Sequence, residues 1–368
     1  MTAAIYMDYN ATVPIRPAAA AAVTAALGLG GNPSSVHVHG RAARRLIENA
    51  RAQVAAAIGA LPQEIVFTSG ATEANNLVLA GSGRQRILVS AIEHDSLRTG
   101  GRDLELIPVS ATGVVDLGAL SAMLARTSRP ALVSVMLANN ETGVIQPVAE
   151  AARIAHQHGA LMHCDAVQAV GRLPVDVRAL DVDLLSLSAH KIGGPAGVGA
   201  LFVRDGLDLA PLLSGGGQER GRRAGTENIS GIAGFGAAAD MVVQELTFGE
   251  RLADLRDMLE TRIRAARPEA LIFGAEAPRL ANTLCVALPG VGAETQVMAL
   301  DLAGVAVSAG AACSSGKLKP SAVLTAMGVP PELASAAIRV SFGWRSEESD
   351  IDRFMAAWRG LSARNLAA

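Results

Sequence analysis

The sequence predicts an α/β protein: a large domain built on a seven-stranded, mostly parallel sheet, with a smaller α+β domain appended. Three observations predict it. Short apolar runs recur at 65–68, 86–90, 106–109, 131–136, 161–164, 184–188 and 200–204, and most are apolar nearly throughout rather than alternating. Strands covered on both faces read that way. Helical patterns separate the runs, as at 44–58, where Leu46, Ile47, Ala50, Val54, Ala57 and Ile58 share one stripe. Strands alternating with helices in this manner imply parallel neighbours joined by crossovers. Third, the texture changes after about Phe248.

Taken in order, the first dozen residues are extended and turn-rich. An alanine-rich run at 18–27 follows Arg16-Pro17 as a helix start does. The seven apolar runs and their intervening helices occupy the chain up to 248. Beyond that lie a charged amphipathic helix at 250–266, strand-like 282–288 and 305–308, and helices near 321–327 and 350–361. The expected division is a large domain over 15–248, and a smaller one over 249–368 completed by residues 1–14.

At 368 residues, half of them apolar and 18% charged, the chain can bury a substantial core, which excludes wholesale disorder. A net charge of −2 gives no electrostatic footprint for nucleic acid or an anionic membrane. No segment reaches the roughly 18–20 apolar residues that span a bilayer, and the start lacks the basic-then-apolar pattern of a secretion signal. Three cysteines are too few and too odd for a disulfide framework, so a cytoplasmic location is expected.

The chemistry concentrates at strand ends. In Ser186-Leu-Ser-Ala-His-Lys-Ile-Gly-Gly-Pro195, Lys191 follows a core strand. Burial there disfavours the ammonium, and a neutral amine is suited to forming an imine with an aldehyde. One crossover upstream, Asp165 ends the run 161–164 in His163-Cys-Asp-Ala-Val-Gln168. A lysine for an aldehyde and a carboxylate for a pyridinium nitrogen are what pyridoxal phosphate requires. Thr68-Ser-Gly-Ala-Thr-Glu73 closes a strand and opens a helix, offering N–H groups and hydroxyls to a phosphate, although Ser/Thr-x-x-Glu is also an ordinary capping box. His94 follows the strand 86–90; such a histidine is either structural or placed to stack on a ring and move protons. The His/Cys/Asp inventory has no metal-ligand spacing, so no metal is expected. Far downstream, Cys313 sits in a Gly/Ser-rich loop beside Lys317 and Lys319, where positive charge favours a thiolate. Cys164 and Cys285 lie in apolar surroundings and read as structural.

These residues, with Met7-Asp-Tyr-Asn-Ala-Thr12, Gly31-Asn-Pro-Ser34, Glu93-His94, Asn139-Asn-Glu-Thr-Gly143, Gly215-Gly-Gly-Gln-Glu-Arg220, Arg223-Ala-Gly-Thr-Glu-Asn228 and Ile338-Arg339, carry a resemblance. The chain is similar, nearly end to end, to cysteine desulfurases of the NifS/IscS type, fold-type I pyridoxal-phosphate enzymes of the class V aminotransferase fold. The resemblance implies that Lys191 holds the cofactor covalently, Asp165 pairs with its ring nitrogen and His94 stacks on the ring. Gln168 and Asn140 would lie near the phenolic oxygen and the ring face, and Ala71, Thr72, Ser188 and His190 would hold the phosphate. It further implies a homodimer in which Thr226 reaches the other subunit's phosphate, and a carboxylate-binding Arg339. Asn140 also counts among the substrate-binding residues. Cys313 would take the sulfur of L-cysteine as a persulfide, leaving alanine, and pass it to an acceptor protein for iron–sulfur cluster assembly or another sulfur-transfer route. Selenocysteine lysis, cysteine sulfinate removal and transamination on the same fold are the alternatives, and a degenerate scaffold is a rival outside enzymes. One departure is the loop, which reads Ala-Ala-Cys-Ser-Ser-Gly where relatives often have Ser-Ala-Cys-Thr-Ser, with little effect expected on the chemistry; which protein receives the sulfur stays open.

Overall fold

A computed structural model describes residues 4–99, 103–310 and 320–361. In chain order its strands are β1 (Ile5–Tyr6), β2 (Ile65–Thr68), β3 (Arg86–Ser90), β4 (Leu104–Ile107), β5 (Ala131–Ser134), β6 (Leu161–Asp165), β7 (Leu184–Ser188), β8 (Gly199–Val203), β9 (Leu271–Phe273), β10 (Thr283–Ala287), β11 (Val305–Ala306), β12 (Ser308–Ala309) and β13 (Ala337–Ser341). The seven runs predicted from apolarity all form strands, within one or two residues at their ends. They make one sheet of order β2-β8-β7-β6-β5-β3-β4.

Pairing is parallel from β4 through β7, but β8 runs antiparallel to both β7 and β2. Two reversals restore β2 to the direction of β7. The carboxyl ends of β2, β3, β5, β6 and β7 therefore open on one edge, where ligands of such sheets gather. Strands β5 and β8 are buried throughout, and the main apolar core lies against the sheet.

The helix Pro17–Leu27 begins where Arg16-Pro17 predicts, with proline in its first turn. The helix Val38–Ala56 starts earlier than its apolar stripe, because His37 caps it by accepting from Gly40 N at 3.3 Å. A helix over Ile229–Glu245 has no counterpart in the sequence reading. Its glycines look like breakers but allow close approach: a Cβ on Gly234 would meet the Val23 side chain at 2.6 Å, and one on Gly236 would meet Ala50 Cα at 2.6 Å.

A second core gathers Leu255, Leu259, Leu284, Ile338, Phe342, Phe354 and Trp358 around the four-stranded antiparallel sheet β12-β13-β10-β9. Ile5 and Met7 pack into it, and β1 pairs in parallel with β11. Residues 8–12 then cross back to the edge of the large sheet: Asn10 N donates to Ser341 Oγ at 2.9 Å, and Val13 N to His190 O at 2.9 Å.

Candidate active site

A cavity of about 850 Å³ opens at the shared carboxyl edge. It is lined by Ala71 and Thr72 beyond β2, His94 beyond β3, Asn140 beyond β5, Asp165 and Gln168 at the end of β6, and Ser188, His190 and Lys191 at the end of β7. Arg339 on β13 closes it from the second sheet. Ten of the twelve residues singled out from the sequence thus face one space. Thr226 is exposed beside a separate hollow of about 100 Å³, and Cys313 lies outside the described residues.

Lys191 occupies the 3-10 turn Ala189–Lys191 that follows β7. Its Nζ donates to Asn10 O at 2.6 Å and to Ala11 O at 2.9 Å. Burial, then the charges of Arg339 and Arg172, push its pKa down to about 7, against the opposing pull of Asp8 and Asp165. A neutral amine has two N–H bonds, and the two carbonyls accept both. Its lone pair is left for an electrophile.

Asp165 is held from two sides: Val167 N donates to Oδ1 at 3.0 Å and Asn75 Nδ2 to Oδ2 at 2.9 Å. Asn75 also reaches Ser96 Oγ at 2.9 Å. Ser96 N donates to His94 Nδ1 at 3.1 Å, which leaves Nε2 to carry the proton of the neutral imidazole. Position, charge partner and tautomer on this wall are therefore one hydrogen-bonded unit. His190 is held near pKa 4 by burial and by the neighbouring Lys191, so it is neutral at pH 7.

The helix Ala71–Gly81 begins at Gly70, whose φ of 157° suits glycine and whose place at the cap leaves no side chain over the helix end. Glu73 turns back instead, accepting from Ser69 N at 2.8 Å and from Arg223 Nε at 2.9 Å. The first-turn N–H groups stay open toward the cavity beside Ser188, which suits an anion. A neutral amine, a carboxylate and an open helix start around one space fit an aldehyde that carries a ring nitrogen and a phosphate. Among the described residues no group of three or more His, Cys, Asp or Glu could hold a metal ion.

Arg339 donates to Asn140 O at 2.9 Å and to Asp8 Oδ1 at 2.7 Å, while its Nε is buried without a partner. Two further acids line the cavity. Glu93 is raised to about 8, first by burial and then by Asp165; it accepts from Ser90 Oγ at 2.7 Å and Met136 N at 2.6 Å. Glu141 is raised to about 7 by burial and accepts from Ser321 Oγ at 2.5 Å. Asn10, Asn75, Glu93 and Glu141 were absent from the residues given roles by the sequence. Asn10, Glu93 and Glu141 did stand inside motifs that carry the resemblance, and Asn75 stands four residues after Ala71 and so on the same helix face. Cys164 and Cys285 are buried, and burial pushes both thiols up, so both are inert.

The sequence profile of the family Aminotransferase class-V matches residues 5–354. The chain belongs to that family. It is 45% identical to a cysteine desulfurase of Cereibacter sphaeroides over 95% of this chain and 94% of the relative. It is 41% identical to a cysteine desulfurase IscS of Dictyoglomus turgidum, over 95% and 92% respectively. A NifS-like protein of Rickettsia africae, solved by X-ray, superposes with a TM-score of 0.90 at 36% identity, covering 96% of this chain and 98% of that one. Among the described residues, no helix is long and apolar enough to cross a membrane.

Proposed function

We propose that this class-V enzyme is a cysteine desulfurase that converts L-cysteine to L-alanine and hands the sulfur to its own Cys313, with pyridoxal 5′-phosphate as cofactor. The observation that carries the reading is the shared cavity: the Lys191 amine, both its N–H bonds spent on carbonyls, faces the same space as the Asp165 carboxylate. Its relatives named cysteine desulfurase span nearly the whole chain.

Bound pyridoxal phosphate would supply an electron sink at the substrate's α-carbon. The chain's residues do the rest. Lys191 would hold the cofactor's aldehyde, and its amine would move the proton at the substrate's α-carbon. Asp165, its geometry fixed by Asn75 and Val167 N, would pair with the ring nitrogen and favour its protonated form. Ala71, Thr72, Ser188 and His190 take the phosphate. Gln168, Asn140 and His94 would orient the ring, and Arg339, whose Nε has no partner, would bind the substrate carboxylate. Cys313, as thiolate, attacks the substrate sulfur: a sulfur–sulfur bond forms, the carbon–sulfur bond breaks, and its electron pair takes up a proton on the β-carbon. One thiol and one cysteine become one persulfide and one alanine, with no outside oxidant.

The reading includes a homodimer in which Thr226 completes the partner's phosphate site, and a protein acceptor for the persulfide in a reducing cytoplasm. It divides the chain at about 248, with residues 1–14 joining the second part. Mass spectrometry after addition of L-cysteine tests it. Alanine release with one added sulfur on Cys313 is expected. Alanine with no sulfur on Cys313, or an unchanged rate in Cys313→Ser, overturns the acceptor assignment; no alanine from cofactor-loaded protein overturns the activity.

A further inference from the structure

Arg172 stands one turn beyond Gln168, at the end of the segment that follows β6. Its Nη1 donates to Gln168 O at 2.8 Å and, by a shorter contact, to Gln168 Oε1; its Nη2 donates to Tyr9 O at 3.1 Å. No carboxylate pairs with it among the described residues, although a desolvated guanidinium ordinarily has one. We propose that Arg172 is a positioning residue of the crevice, fixing which end of the Gln168 amide faces inward and keeping an unneutralised positive charge beside Lys191.

The hydrogen bonds give the first half of this role. A guanidinium only donates, so the Gln168 atom it touches must be the carbonyl oxygen. The amide nitrogen is thereby turned to the other side, where Nε2 donates to Asn10 O at 2.9 Å. That carbonyl is the one that accepts from Lys191 Nζ at 2.6 Å. Arg172 also grips Tyr9 O, so one side chain braces both the strand end carrying Gln168 and the crossing segment carrying Asn10. In the reading proposed above, on which this inference rests, Gln168 then offers a donor and never an acceptor to the ring's phenolic oxygen.

Charge gives the second half. Lys191 is faced by Arg339 from β13, by Arg172, by Asp8 from the crossing segment, by Asp165 from β6 and by His190 beside it. The two guanidinium groups press its basicity down; Asp8 and Asp165 oppose them. Arg339 already spends its charge on Asp8. Arg172 has no such partner, and burial together with Arg339 leaves its own pKa at about 9, so it is still cationic at pH 7.

Two variants separate orientation from charge. Arg172→Gln removes both; Arg172→Lys keeps the charge and loses the fork. In cofactor-free protein, competitive acetylation across pH, read by mass spectrometry at Lys191, reports that amine's pKa. Arg172→Gln is expected to raise it by about half to one unit, and Arg172→Lys to leave it within about 0.3. In pyridoxal-phosphate-loaded protein, the pH midpoint of the visible absorbance is expected to rise in both variants, because Gln168 is free to turn. A merely structural arginine would lower the melting temperature and move neither midpoint. Unchanged Lys191 basicity in Arg172→Gln overturns the charge role; an unchanged absorbance midpoint in Arg172→Lys overturns the orientation role, and stands as the test if Arg172→Gln does not fold. The acetylation readout needs neither cofactor nor turnover, so it survives failure of the desulfurase reading.

Discussion

Two arginines, one buried and one half-buried, show how differently this chain uses one side chain. Arg51, 4% exposed, stands on the helix Val38–Ala56, donates to Ile65 O of β2 at 2.8 Å and forms a two-pronged pair with Glu219 at 2.7 and 2.9 Å. Glu219 Oε2 also accepts from Phe67 N at 2.9 Å, and the Arg51 guanidinium lies 4.9 Å from the Phe67 ring. Every charge there has its opposite, and the product is rigidity: the pair pins the segment 218–221, whose Glu219 and Arg220 have left-handed backbone angles, to the edge of the sheet. Arg172 has only the carbonyl oxygens of Gln168 and Tyr9. The paired arginine fastens a loop, and the unpaired one sets the conditions in a crevice.

The sharpest way to break this contrast is to remove the amine on which the crevice converges. Lys191→Ala is expected to cut alanine release from cysteine by at least about a thousandfold and to abolish the visible cofactor band, while the fold remains. A rate within tenfold of the unaltered protein would show that another amine serves.

The same residue links the crevice to stability. Its folded pKa of about 7 lies below the free value of 10.5, so between those values the unfolded chain binds a proton that the folded chain does not. Stability then rises with pH across that window. Lys191→Met is expected to be more stable than the unaltered cofactor-free protein at about pH 7, with the advantage shrinking toward pH 10. Denaturant midpoints at both ends check it; a constant gap would mean Lys191 is not depressed.

On the paired side, Glu219→Ala removes the two-pronged carboxylate from buried Arg51 and leaves it only the longer contact with the half-exposed Glu48 at 3.3 Å and Ile65 O at 2.8 Å. A loss of about 3–5 kcal/mol in unfolding free energy is expected, with Lys191 acetylation unmoved. A loss under about 1 kcal/mol would put the contrast in doubt. The smallest effect belongs to Asn75→Ala, which removes one donor from Asp165. Weaker cofactor retention by about ten- to a hundredfold is expected, at about 1–3 kcal/mol for one such bond. Equilibrium dialysis reads it, and unaltered retention would reassign Asn75 to holding Ser96 alone.

Much of the site was legible because it is local. Lys191, Asp165, His94 and the turn at Ala71 and Thr72 each follow a strand directly, and parallel strands deliver their ends to one edge whatever their order. Asn10 and Arg172 were not legible in this way. Asn10 matters through its carbonyl, a group every residue has, and through contacts with Thr283 at 2.9 Å and Ser341 at 2.9 Å, more than 270 positions away. Arg172 reads in sequence as an ordinary loop cation. Nothing in its neighbours announces that no carboxylate will meet it. The helix Ile229–Glu245 was hidden for a related reason: glycine lowers intrinsic helicity, and only the neighbouring helices turn that cost into close packing.

By itself, then, the sequence determined the strand-and-helix alternation, the change of texture after about Phe248 and which residue types stand at each strand end, since those follow from periodicity and from neighbours a few positions apart. Tertiary structure alone decided that β2 and β8 reverse and reverse again, that residues 8–12 cross from one sheet to the other, and that two carbonyls on that crossing take both protons of Lys191. Basicity and orientation are sums over groups brought together from opposite ends of the chain, and such sums exist only once the chain has folded.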